Sequence, residues 1–182
     1  GYTPIIINDN TLIKDLKCIG ILILSDVIRQ DAKTTLDYFK RQDVDIKIIS
    51  GDDPVTVSAI ARRCHLLNYE HYIDVSSLSD EQIKEAIEKY TIFGRVSPKQ
   101  KQLMVNALQE NNHTVAMTGD GVNDVLALKA ADCSIAMASG SDAAKSASHI
   151  VLLKNNFNAM PHIVNEGRRV INNITALSLI HI

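Results

Sequence analysis

The chain has 182 residues, 46% hydrophobic and 22% charged, enough for one domain with a real core. A net charge of −2 gives no broad electrostatic basis for binding nucleic acid or an anionic membrane. The three cysteines, Cys18, Cys64 and Cys133, are far apart in apolar settings. They read as small buried residues in a reducing compartment and make neither a disulfide framework nor a zinc site.

The opening GYTPIIINDN suggests an extra edge strand and turn, because Pro4 and Asn8-Asp9-Asn10 are turn chemistry. No basic segment followed by an apolar core opens the sequence, and no apolar run approaches the roughly 20 residues that span a bilayer. The segment is therefore expected to be soluble and cytoplasmic. IGILIL (19–24) and IKIIS (46–50) are β-branched runs that predict buried strands, as do TVAMT (114–118), CSIAM (133–137) and IVLL (150–153). TIFG (91–94) is a weaker strand pattern.

Amphipathic helices fall between them. Ala32, Leu36 and Phe39 mark the first. Asp53 as N-cap and Pro54 at the first position begin the next, with Val57, Ile60, Ala61 and Cys64 on its buried side. Ser79 and Gln82 make a capping-box pattern ahead of Ile83, Ala86, Ile87 and Tyr90. A fourth helix starts near Pro98 and buries Leu103, Met104, Ala107 and Leu108. The last runs from about Phe157, with Met160, Val164, Gly167, Val170 and Ile174 near one stripe. This rhythm predicts an α/β fold, a parallel sheet covered by helices on both faces.

In such a sheet ligands bind beyond the carboxyl ends of the strands. Two loops there carry the same chemistry, Ser50-Gly51-Asp52-Asp53 and Thr118-Gly119-Asp120-Gly121. Each offers a hydroxyl, a glycine whose backbone can approach a ligand, and a carboxylate. Hydroxyl and N–H groups suit phosphoryl oxygens, and carboxylates suit Mg²⁺. Asn123 and Asp124 follow at the start of the next helix, where unsatisfied N–H groups favour an anion. Lys101, in the first turn after RVSP, is placed to bring a cation to the same crevice, which would make a phosphoryl-transfer site.

Taken singly, each feature has a plainer reading. One such tripeptide is a turn, and an early helical lysine is usually solvated. Asp26 serves equally as an N-terminal turn residue. Arg95 either contacts a ligand or covers apolar surface with its stem. Two matched loops followed by Asn123 and Asp124 favour a ligand site. An EF-hand is excluded by Val122 and a dinucleotide fingerprint by Asp124. No GxxxxGK[S/T] occurs, and the six histidines make no metal spacing.

TGDGVND (118–124), with LALKAAD and IAMASGSDAAKSAS after it, resembles the phosphorylation domain of P-type cation-transporting ATPases, within the haloacid-dehalogenase-like superfamily. IISGDDPVTVSAIARRC, FGRVSPKQK and VLLKNNFNAMPHIVNEGRRVINNI resemble further family segments in the right order, so the likeness runs from about residue 20 to 174.

The resemblance implies a Rossmann-like fold and a site using Mg²⁺ and ATP. Asp120 would be the Mg²⁺ ligand, with Asp124 supporting the metal and phosphoryl site. Ser50, Gly51, Asn123 and Thr118 would meet the phosphoryl group, Lys101 would neutralise it, Arg95 would approach the nucleotide, and Asp52 would complete the first loop. Val125-Leu126 replaces the family's usual Ala-Pro, and Asp26-Val27 replaces Asp-Pro ahead of Arg29. Both departures suggest a bacterial subgroup, with calcium favoured as the ion.

The family's nucleophile lies in Asp-Lys-Thr-Gly-Thr, yet no aspartate here is followed by lysine. Asp43-Val44-Asp45 precedes its strand, where a nucleophile has no use. The expectation is a fold incomplete at the nucleophile strand, inactive alone, with strand edges prone to self-association. Its parts would be an N-terminal extension (1–18), the C-terminal part of the phosphorylation domain (19–156), and a helix beginning a stalk toward the membrane (157–182). The expected partners are ATP, the transported cation and the rest of the pump, and not nucleic acid. Two alternatives remain: a fragment of a soluble phosphatase of the superfamily, and a non-catalytic Mg²⁺- or phosphate-binding module.

Overall fold

The computed structural model describes residues 28–29, 31–154 and 156–180, with side chains described to 175. The expected extension, the strand at 19–24, Cys18 and Asp26 lie outside the described residues. The elements are α1 (Ala32–Arg41), β1 (Ile48–Ile49), α2 (Pro54–Arg63), β2 (Tyr72–Asp74), α3 (Asp80–Lys89), β3 (Ile92–Gly94) and α4 (Pro98–Glu110). Then come β4 (Ala116–Gly119), a 3₁₀ turn (Val122–Asp124), α5 (Val125–Ala130), β5 (Cys133–Met137), α6 (Asp142–Ala147) and β6 (Ile150–Leu152). A second 3₁₀ turn (Phe157–Ala159) leads into α7 (Met160–Ile180).

The strands form two three-stranded sheets, ordered β1-β3-β2 and β4-β5-β6, and every pairing is parallel. Among the described residues β1 and β4 each pair on one side only. In the first sheet, β3 is buried on both faces, which is why its sequence is apolar without alternation. Ile92 packs with Val57, Ala61 and Leu66 from α2 and the turn after it. Phe93 points the other way, to Ile83 and Ile87 of α3 and Met104 of α4. Successive strand residues face opposite layers, so both layers hold helices.

Two helices tie the sheets together. On α4, Met104 belongs to the core around Phe93, while its neighbour Val105 belongs to the core of Met117, Ala127, Leu128 and Ala144. On α1, Leu36 packs against the Ile92 cluster and Phe39 against Ile135, Leu152 and Met160.

Helix starts follow the sequence closely. Asp53 caps α2 by accepting from the N–H groups of Val55 and Thr56, with Pro54 at the first position. Ser79 with Gln82 and Ser97 with Gln100 form reciprocal capping boxes. Elsewhere the structure departs from the sequence reading. β2 was not anticipated, and neither was α6. The strands at 46–50 and 114–118 begin about two residues later than their patterns. Ile60 is exposed, and Cys64 and Cys133 are only partly buried. On α7 the stripe is buried only at Met160. Gly167, Val170 and Ile174 are exposed because α1 covers only the start of this helix. No described helix is long and apolar enough to cross a membrane.

Candidate functional site

Both acidic loops lie at the carboxyl ends of their strands. Ser50 continues the β1 ladder by donating its N–H to Phe93, and its carbonyl accepts from Val96. Its hydroxyl accepts from the Asp52 N–H at 3.1 Å and sits 3.3 Å from the Asp52 carboxylate, closing a tight turn. Gly51 and Asp52 are exposed. A methyl group on Gly51 would meet nothing nearer than the Val96 carbonyl, at 4.0 Å. Packing therefore does not demand glycine there, and its bare backbone faces open space.

The second loop is wound around one carboxylate. Asp124 is buried in the 3₁₀ turn, and its Oδ2 accepts from the N–H groups of Asp120 and Gly121, at 3.3 and 3.1 Å. Its Oδ1 accepts from Lys101 Nζ at 2.7 Å, both side chains being 11% exposed. Gly119 is forced by this arrangement, since a Cβ there would lie 2.5 Å from the Asp124 Cβ. Thr118, Asp120 and Asn123 are exposed around the same turn.

Lys101 sits at the positive end of α4, where the helix dipole disfavours a cation. Buried there, it needs an anion, and Asp124 supplies one. This contact joins α4 to the loop after β4. Ser50 bonds to Val96, Ser97 caps α4, and α4 carries Lys101 to Asp124. The structure thus joins Lys101 directly to Asp124, with Thr118, Asp120 and Asn123 on the turn that Asp124 organises, while Ser50, Gly51 and Asp52 form a turn tied to the segment that leads into α4. Arg95 is engaged differently: its guanidinium lies 3.0 Å from Asp53 and 3.5 Å from Asp74. The hydroxyl and N–H of Ser76 hold the Asp74 carboxyl below its ordinary range, and Arg95 adds to the effect. Asp43 and Asp45 precede β1, at the opposite end of the sheet from the loops.

Sequence reasoning missed Gly140 and Ser141, which follow β5. Ser141 donates its N–H to the Asp120 carbonyl at 2.7 Å, and a Cβ on Gly140 would lie 2.8 Å from the same oxygen. A third Ser/Gly/Asp stretch at a strand end, Ser139-Gly140-Ser141-Asp142, was the available signal. Among the described residues no group of three or more His, Cys, Asp or Glu makes an all-protein metal cage. One or two carboxylates completed by phosphate oxygens and water is what Mg²⁺ ordinarily takes, and the exposed Asp120 beside Asp124 fits that demand.

The family model described as "Hydrolase: haloacid dehalogenase-like hydrolase" matches residues 5–132. The chain is 49% identical over 164 residues to a probable cation-transporting ATPase, exp7, of Streptococcus pneumoniae serotype 4, covering 90% of this chain and 21% of that protein. It is 51% identical over 158 residues to the calcium-transporting ATPase CtpE of Mycobacterium tuberculosis, covering 86% of this chain and 20% of that one. The chain therefore spans about a fifth of the length of these relatives. Among solved structures, a zinc-transporting PIB-type ATPase in its E2.Pi state superposes with a TM-score of 0.66 at 27% identity, covering 84% of this chain and 21% of that one. The catalytic domain of the CPx-ATPase CopB-B superposes with a TM-score of 0.60 at 28% identity, covering 77% and 46%.

Proposed function

The chain belongs to the haloacid dehalogenase-like hydrolase family, and from that premise we propose that it is part of the phosphorylation domain of an ATP-driven cation pump. Within the pump, residues 19–156 supply the loops that meet Mg²⁺ and the phosphoryl group. Residues 157–182 begin a stalk toward the membrane, and 1–18 form an extension. The pump's ion is calcium, the ion that the relative CtpE is named for transporting. Its phosphorylation domain works on the cytoplasmic side, where it meets ATP and the pump's other domains.

One observation carries this reading: the buried 2.7 Å bond from Lys101 to Asp124, which links the segment after β3 to the loop after β4. Asp120 and Asp124 would hold Mg²⁺, which when bound neutralises phosphate charge. Ser50, Gly51, Thr118 and Asn123 donate to phosphoryl oxygens, and Asp52 keeps the first turn closed. Lys101 has three donors, so one can stay on Asp124 while another meets the phosphoryl group. Positioning and charge neutralisation of this kind supply most of phosphoryl-transfer catalysis.

This sequence contains no Asp-Lys-Thr-Gly-Thr, so the chain by itself is proposed to be inactive. Radiolabelled ATP with Mg²⁺ should give no acid-stable, hydroxylamine-sensitive label on this chain. The pump that contains it should be labelled, and D120N or K101A in that pump should abolish the label. Label on the isolated chain, or none on the pump, would overturn the reading.

A further inference from the structure

Arg95 has a left-handed backbone, φ 55°, in a residue with a full side chain. Such a conformation is strained for a residue with a Cβ and persists where the surroundings demand it. Here the demand is visible. The left-handed turn aims the Arg95 N–H at the Asp52 carbonyl, 2.8 Å away. The same bend sends its guanidinium across to Asp53, at 3.0 Å, and to Asp74, at 3.5 Å. One residue after β3 therefore ties the carboxyl ends of β1 and β2, the strands on either side of it. Asp53 answers to two donors at once: Oδ1 caps α2 through Val55 and Thr56, while Oδ2 takes Arg95. Asp52 and Asp53 are the last two residues of the turn that presents Ser50 and Gly51.

We infer that Arg95 is a positioning residue for this turn, acting through Asp52 and Asp53. The inference rests on the proposed phosphoryl role of Ser50 and Gly51. An exposed arginine–carboxylate pair is worth little by itself. Its value here is geometric, because a displaced turn presents its donors in the wrong place. Asp53 is outside the site assigned above, so D53N provides an independent approach: it keeps a capping oxygen but removes the charge that holds the guanidinium.

The test compares wild type, R95K, R95G and D53N in the intact pump, measuring KM for MgATP and inhibition by orthovanadate, a phosphate-site probe. R95G keeps the left-handed backbone but lacks the fork; R95K keeps the charge but lacks bidentate reach. All three variants should need about tenfold more orthovanadate, with the MgATP KM moving less than about twofold. The double variant R95K/D53N should be no worse than either single one. A raised MgATP KM with orthovanadate inhibition unchanged would make Arg95 a nucleotide contact; no change in either would make it a surface ion pair, and both results overturn the inference. If wild type neither hydrolyses ATP nor responds to orthovanadate, the pump reading falls separately. Hydrogen exchange of the Asp52 amide in this chain then decides: about tenfold faster in R95K supports positioning, and no change overturns it.

Discussion

At the scale of single residues, the proposed site turns on an ion pair that the sequence placed in one crevice without pairing its members. Lys101 alone is an ordinary early helical lysine, and Asp124 an ordinary residue at a helix start. Only the fold makes them partners. Breaking a buried pair by removing one member typically costs about 3–5 kcal/mol, because the survivor is stranded. Asp124 keeps two N–H donors without Lys101, so K101M belongs at the low end, about 3 kcal/mol in urea unfolding. D124L strands a buried ammonium and leaves the Asp120 and Gly121 N–H groups without their acceptor, so it should cost at least as much. K101M/D124L strands neither charge and should lose at least about 1 kcal/mol less than the sum of the singles. A cost below about 0.5 kcal/mol for K101M would mean that water already screens the pair.

At the scale of elements, the legible features were those written in local chemistry. Asp53-Pro54, Ser79 with Gln82, and Pro98 announced three helix starts, because a cap is satisfied within a few residues of itself, as Ser97 with Gln100 also is ahead of Pro98's helix. β2 was not legible. Tyr72–Asp74 is a three-residue edge strand with an exposed tyrosine, and pairing with β3 makes it a strand, which its own pattern does not. The start of β4 was overestimated for a related reason: Val115 looks like strand but bonds to a side chain. Its N–H donates to Asp132 at 2.8 Å, while its carbonyl accepts from Cys133, so Asp132 staples the entry of β4 to that of β5. The Val115 N–H, followed by the Gln109 amide, holds the Asp132 carboxyl below its ordinary 3.8. With the folded value depressed, the stabilisation is complete above the unfolded value and disappears as pH falls through the folded one. D132A should therefore melt lower than wild type at neutral pH, and the gap should close as pH drops below about 3.8. A gap that stays constant well below that pH would show that packing, not the carboxylate, holds the staple.

At the scale of the whole molecule, the question is whether two short sheets make one cooperative unit. The described residues form two sheets, each with one edge strand, β1 or β4, next to an acidic loop. The pump reading implies a strand between them, and an edge left unpaired is where another chain can add. What joins the halves here is α4 and α1, and α4 does so with consecutive residues. Met104, fully buried, faces the Phe93 core, and Val105 faces the core of α5. M104A removes three heavy atoms from the first core only and should cost about 3 kcal/mol. If α4 couples the halves, that loss is shared, and amides of β5 should exchange about a hundredfold faster, as those of β3 do. If β3 amides accelerate while β5 amides keep wild-type rates, the halves unfold independently. The bond from Lys101 to Asp124 would then be a contact between two units that move apart, and the site could assemble only when a further strand or ligand holds them together.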